Sequence, residues 1–193
     1  SNACMASFND GVTAGMGMGA FYPQGPGNRV IQIGDPVYLD YVGVFEGYNV
    51  DQTRLYVVGD LAHRLKYAFQ VALEIQETLV TLAKPGVMAS ELYDTAVSIA
   101  EKAGLSHNFM GYGAERVRFV GHGVGLELDE RPVIAPGFNT PLEAGMVIAL
   151  EPKFVLPGLG IAGIENTWLL TPTGVEKITV LPDEIGAIPL ALA

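Results

Sequence analysis

Gly34-Asp35-Pro36-Val37-Tyr38-Leu39-Asp40 and Gly145-Met146-Val147-Ile148-Ala149-Leu150-Glu151 each set an acid six residues after a glycine, at the end of a mostly apolar run. Such runs have the composition of strands. Each is followed by a second strand-like run that carries an acid-x-threonine, Asp51-Gln52-Thr53 in one case and Glu165-Asn166-Thr167 in the other. Two hairpins presenting acids in matching frames predict an α+β domain with pseudo-twofold halves and a shared site between them.

The rest of the pattern fits around this pair. Glu46-Gly47-Tyr48-Asn49 supplies turn chemistry inside the first hairpin, with a bulge expected at its glycines. Residues 61–83 place Leu61, Leu65, Phe69, Ala72, Ile75 and Leu79 at helical spacing, with Asp60 as N-cap and Pro85-Gly86 as the stop. Ser90 is expected to cap a second helix over 91–103, closed by Gly104. The second strand pair is expected as two unbroken strands, 146–155 and 163–170, joined through Pro157-Gly158-Leu159-Gly160.

Composition limits the function classes. Of 193 residues, 49% are hydrophobic and 17% charged, so the chain can bury a core and is not a disordered segment. A formal charge of −10 repels phosphate backbones and anionic lipid, so neither nucleic acid nor a membrane is an expected partner. The single cysteine, Cys4, cannot form an internal disulfide, which fits a reducing, cytoplasmic location. Ser1-Asn2-Ala3 reads as the scar of a removed tag. Residues 4–193 are then expected to form one domain, the C-terminal part of a longer protein. Gly15-Met16-Gly17-Met18-Gly19 has the wrong spacing for a dinucleotide fingerprint and no strand before it.

The acids are the anomaly, because a carboxylate among apolar strand residues is unfavourable unless it is paired or bound to a cation. Asp40, Asp51, Glu151 and Glu165 all have such neighbours, and Arg54 and Lys153 offer partners for two of them at most. A cation site accounts for all four. His122, in Gly121-His122-Gly123-Val124-Gly125, adds an imidazole where little side-chain bulk hinders close approach. Four carboxylates and one imidazole suit hard divalent ions.

Taken together, these motifs resemble the pita-bread metallohydrolases, which include aminopeptidase P, prolidase, methionine aminopeptidase and creatinase. The resemblance rests on Gly34-Asp-x-Val-x-x-Asp40, Gly47-Tyr48-x-x-Asp51-x-Thr53-Arg54, Gly121-His122-Gly123-Val124-Gly125-Leu126, Glu151-Pro152 and Gly163-Ile164-Glu165-Asn166-Thr167, in the family's order. It implies a pita-bread fold and two divalent ions, manganese first with cobalt or zinc as alternatives, held by Asp40, Asp51, His122, Glu151 and Glu165. It also implies hydrolysis of a peptide bond next to proline, with Glu151 moving the proton. Tyr48 and Thr53-Arg54 are similar to the aminopeptidase P and prolidase branch, whose members often associate as homodimers. Arg54 is expected to hold a ligand carboxylate in place, and Glu130 either to orient the site or to pair with Arg131.

The sequence departs from the family pattern at two histidine positions. One falls in Gly19-Ala20-Phe21-Tyr22-Pro23-Gln24 and the other is occupied by Asp129; Tyr22 or His107 is the available substitute, although His107, next to Asn108, is expected to be a loop residue. Tyr22, Tyr48, Thr53, Arg54, Asp129 and Glu130 are therefore the candidates for contacting substrate or positioning the ligands. The departures leave two alternatives to an Xaa-Pro peptidase: a relative that cleaves a different carbon–nitrogen bond in a small amide, as creatinase does, and a metal-binding protein without turnover.

Overall fold

The structure, a computed structural model, describes residues 12, 15–19, 25–114 and 116–189. Strands β1 (Pro36–Phe45) and β2 (Tyr48–Val58) form an antiparallel hairpin whose register runs unbroken from Pro36↔Val57 to Phe45↔Tyr48. The turn is two residues, Glu46 and Gly47, at φ of 51° and 89°. Two successive left-handed residues match the right-handed twist of the flanking strands. The hairpin therefore closes without the expected bulge, and Tyr48 and Asn49 belong to β2.

Helix α1 (His63–Leu82) buries Leu65, Ala68, Phe69, Ala72, Ile75 and Leu79 along one stripe. Helix α2 (Ala89–Lys102) packs on it and buries Leu92 together with Ala89, Ala96 and Ala100, three small residues on its inner face. Both expected caps are corrected. Asp60 lies outside the helix, which starts after an extended Ala62, and its carboxylate pairs with Lys66 instead. Ser90 is the second residue of α2, and its hydroxyl meets the Asn139 side chain; the orphan Met88 N–H donates to the Glu91 carboxylate.

The remaining strands are β3 (Gly121–Gly123), β4 (Glu130–Val133), β5 (Val147–Leu150), β6 (Lys153–Leu156), β7 (Gly160–Gly163), β8 (Asn166–Thr171), β9 (Gly174–Lys177) and β10 (Gly186–Ile188). They form a five-stranded sheet ordered β4-β3-β5-β8-β9, a β6-β7 ribbon under α1, and a parallel addition of β10 to β2. The second hairpin is thus split on both sides, contrary to the two unbroken strands expected. Pro152 has no N–H with which to continue the ladder. Opposite it, the main chain of Glu165 leaves the hairpin to pair with Thr53 of β2. Both breaks fall at acids that the sequence singles out. Among the described residues, no helix is long and apolar enough to cross a membrane.

Candidate metal centre

The two hairpins meet along a short antiparallel seam. Thr53 N–H donates to Glu165 C=O at 3.3 Å, and Glu165 N–H to Thr53 C=O at 3.4 Å. Two residues further on, the Thr167 hydroxyl closes the pairing, accepting from Asp51 N–H at 3.0 Å and donating to Asp51 C=O at 2.7 Å. Thr53 Oγ1 donates to Glu165 Oε2 at 2.7 Å. The acid of each acid-x-threonine motif therefore lies opposite the threonine of the other, which is the physical content of the pseudo-twofold pattern.

Period-two alternation along β2 turns Asp51 and Thr53 to the same side. His122 enters from β3, paired with Ala149 of β5. Its flanking glycines admit backbone rather than a side chain: a Cβ on Gly121 would stand 2.3 Å from Ala149 O, and one on Gly123 2.4 Å from Arg131 O. The imidazole Nδ1 lies 3.0 Å from Gly123 O, and since a carbonyl can only accept, Nδ1 carries the proton. Nε2 is left free to coordinate and faces Glu151 Oε1 at 3.5 Å and Asp51 Oδ2 at 3.9 Å.

One ligand atom each from Asp51, His122 and Glu165 lies within 4.8 Å of the others, and all three residues are buried. Asp51 Oδ1 is buried with no hydrogen-bond partner. Burial, and then the charges of Asp40 and Glu151, push the Asp51 carboxyl up to about 6 against the opposing pull of His122. Glu165 is raised well above the carboxylate range by burial, with Glu151, Asp51 and Asp40 adding to it and Lys153 opposing. Carboxylates that resist ionisation together and an orphaned buried oxygen beside a free imidazole nitrogen fit a divalent cation.

Asp40 and Glu151 are engaged differently. Lys153 Nζ lies 2.5 Å from Glu151 Oε2, 3.1 Å from Asp40 Oδ2 and 3.9 Å from Glu165 Oε2. Burial alone would lower the lysine pKa, but Glu151, Tyr38, Glu165 and Asp40 outweigh it and hold the ammonium well above its ordinary value. Tyr38 stands beside it, its ring centroid 6.0 Å from Nζ and its hydroxyl buried without a partner. Burial raises that phenol further still. The central place of Lys153 and Tyr38 goes beyond what the sequence indicated. The signal was spacing, since each lies two residues from an acid and so on the same side of an extended chain.

The remaining candidates fall in several places. Arg54, one step out of phase with Thr53, does not touch a ligand carboxylate. Its guanidinium donates to the carbonyls of Thr53, Glu165, Leu181 and Pro182 and to Asn166 Oδ1, and it pairs with Asp183 at 3.0 Å. It fixes the backbone that carries Glu165. Asp129, 72% exposed, places Oδ1 3.4 Å from His122 Nδ1. Glu130 accepts from Glu127 N–H. Tyr48 lies at the hairpin tip, 63% exposed, and lines a cavity of about 820 Å³ together with Val50, Gln52, Glu130 and Thr167 that contains none of the five expected ligands. Tyr22 lies outside the described residues.

With this geometry, a family model for metallopeptidase family M24 matches residues 3–172. The chain belongs to metallopeptidase family M24. Among M24 proteins it is 37% identical over 158 residues to the Xaa-Pro dipeptidase of Pyrococcus furiosus, covering 82% of this chain and 43% of that one. Its structure resembles the dipeptidase PepE of Mycobacterium ulcerans at a TM-score of 0.78 and 31% identity, covering 89% of this chain and 44% of that one. It also resembles the methionine aminopeptidase of Rickettsia prowazekii at a TM-score of 0.64 and 26% identity, covering 80% and 68%. The fold is that of the pita-bread M24 enzymes. The chain spans less than half the length of the curated relatives it matches.

Proposed function

We propose that this chain carries the catalytic centre of a metal-dependent peptidase that cleaves bonds next to proline. One observation carries the proposal: in an M24 chain, Asp51, His122 and Glu165 converge at the seam, with His122 Nε2 turned toward the acids and Asp51 Oδ1 unpartnered. Asp51, His122 and Glu165 would hold the ion directly, and Asp40 and Glu151 complete the acidic surround. The donor set is oxygen-rich with one imidazole and favours manganese, with cobalt and zinc as alternatives. A divalent ion supplies Lewis-acid polarisation and an ionisable water at neutral pH.

The chain's own residues do the rest. Gly123 O holds the imidazole tautomer, Thr53 Oγ1 fixes Glu165 Oε2, and Arg54 anchors the main chain between them. Glu151 is the proton carrier, taking a proton from the attacking water and delivering it to the leaving nitrogen; a carboxylate fixed beside the site suits this role. Asp40, with a side chain 39% exposed while the other four donors are buried, marks the side open to substrate.

A second reading, cleavage of a different carbon–nitrogen bond, is favoured by position 129, where a carboxylate stands in place of the imidazole that the prolidase branch would place there. Both are tested by supplying the protein and manganese with Xaa-Pro dipeptides, longer Xaa-Pro peptides and small amides. Release of free proline from the dipeptides is expected. Turnover of amides alone would favour the second reading, and no turnover of any substrate by metal-loaded protein would overturn both.

A further inference from the structure

The five donors form two overlapping groups, and one of those groups already holds a cation. Around Lys153 Nζ stand Glu151 Oε2 at 2.5 Å, Asp40 Oδ2 at 3.1 Å and Glu165 Oε2 at 3.9 Å, while Asp51, His122 and Glu165 bring one ligand atom each within 4.8 Å of the others, Glu165 being common to both. We propose that the Lys153 ammonium is a built-in replacement for one of two metal ions, so that this centre binds a single divalent cation, at Asp51, His122 and Glu165. The inference rests on the metal-centre reading given above and sharpens it.

Lys153 is seated as a fixed part of the fold. Its side chain is 3% exposed. Its carbonyl accepts from Met110 N–H at 2.9 Å, and it pairs with Gly163 across the β6-β7 ribbon. Gly163 makes room for it, because a Cβ there would stand 2.9 Å from Lys153 Cα and 3.1 Å from Cγ. Its stem lies against Gly163 and its head between carboxylates, so the ammonium is buried at both ends of its reach. A second divalent ion at Asp40 and Glu151 would have to displace the ammonium or lie beside it, and like charges at that separation repel strongly in a buried site. The charge balance agrees. Four carboxylates set against one ammonium and one divalent ion leave one negative charge, whereas a second ion would make the centre positive.

The test is the number and kind of ions bound, which does not depend on turnover. Metal-stripped protein is titrated with Mn2+ by calorimetry, and the saturated sample is examined by electron paramagnetic resonance. The expected result is one Mn2+ per chain with the signal of an isolated ion. Two ions per chain with an exchange-coupled signal would overturn the inference and leave the metal-centre reading standing. No bound ion would overturn both. Lys153→Met removes the charge and keeps the stem, and is expected to gain a second equivalent of Mn2+; Lys153→Arg is expected to stay at one. A folded Lys153→Met that still binds one ion would show that the ammonium is not what excludes the second. If Lys153→Met does not fold, the wild-type stoichiometry and signal decide the matter alone.

Discussion

Lys153→Met also isolates what the ammonium contributes to stability when metal is absent. Three carboxylates lose their cation, to different extents. Asp40 is 39% exposed and turns to water, so its share is below about 1 kcal/mol, as for surface pairs generally. Glu165, 3.9 Å from Nζ, keeps the Thr53 hydroxyl at 2.7 Å. Glu151 is the exposed weakness: it is buried, its 2.5 Å partner is gone, and water does not replace it. Removing one member of a buried ion pair destabilises by ~3–5 kcal/mol. With one carboxylate stranded rather than three, the lower end applies, about 3 kcal/mol. For a chain of this size each kcal/mol moves Tm by roughly 2–4 °C, so Tm should fall by roughly 6–12 °C. Scanning calorimetry in EDTA measures this, and excess Mn2+ should narrow the gap by returning positive charge to the site. A variant as stable as the wild type in EDTA, or more so, would refute the reasoning, since desolvation of the ammonium would then outweigh its attraction to the carboxylates.

Other consequences can be checked separately. Asp51→Asn or Glu165→Gln should lower bound metal sharply, as read by elemental analysis, because each removes an anionic donor from the buried group. Thr53→Val removes the hydroxyl on Glu165 Oε2 and should weaken Mn2+ binding by about 10–100-fold in calorimetry, as loss of a ligand's supporting hydrogen bond typically does. Asp51, raised from 3.8 to about 6, keeps its proton in the folded state over a range where the unfolded chain has lost it. Its contribution to metal-free stability is therefore full below about pH 4 and lost as pH rises through 6, a fall of up to ~3 kcal/mol in urea titrations. Metal needs the ionised forms of both Asp51 and Glu165, so Mn2+ affinity should be at least about tenfold lower at pH 5 than at pH 7. Gly123→Ala pushes a Cβ to 2.4 Å from Arg131 O and should cost ~1–3 kcal/mol by forcing β3 and β4 apart.

The acids were legible in the sequence because of where they sit. Asp40, Asp51, Glu151 and Glu165 interrupt apolar runs in frames that two hairpins repeat, and the cross-pairing of Asp51 with Thr167 and of Thr53 with Glu165 gives that repeat a structural form. Other features depend on tertiary context. Asp60 has the right chemistry for a cap, but the helix starts three residues later and Lys66 takes the carboxylate. The break at Pro152 could have been anticipated from its missing N–H; the departure of Glu165 toward Thr53 could not, because the partner lies 112 residues away. Lys153 was visible as a partner for one acid. That it reaches three follows from the packing of its stem on Gly163, which periodicity does not encode.

The seam also sets how the molecule comes apart. Thr53 and Glu165 are 112 residues apart in sequence, and Asp51 and Thr167 are 116 apart, so their pairing closes a loop of more than half the chain. Loop closure on that scale forfeits roughly 4 kcal/mol of chain entropy. An ion shared by Asp51 and Glu165 acts as a clasp on that loop, with its grip felt across both halves rather than in one turn. If a protease nicks the backbone between the hairpins, α1, the β10–β2 pairing and the seam are what keep the pieces associated, and chelation should loosen the nicked protein far more than the intact one.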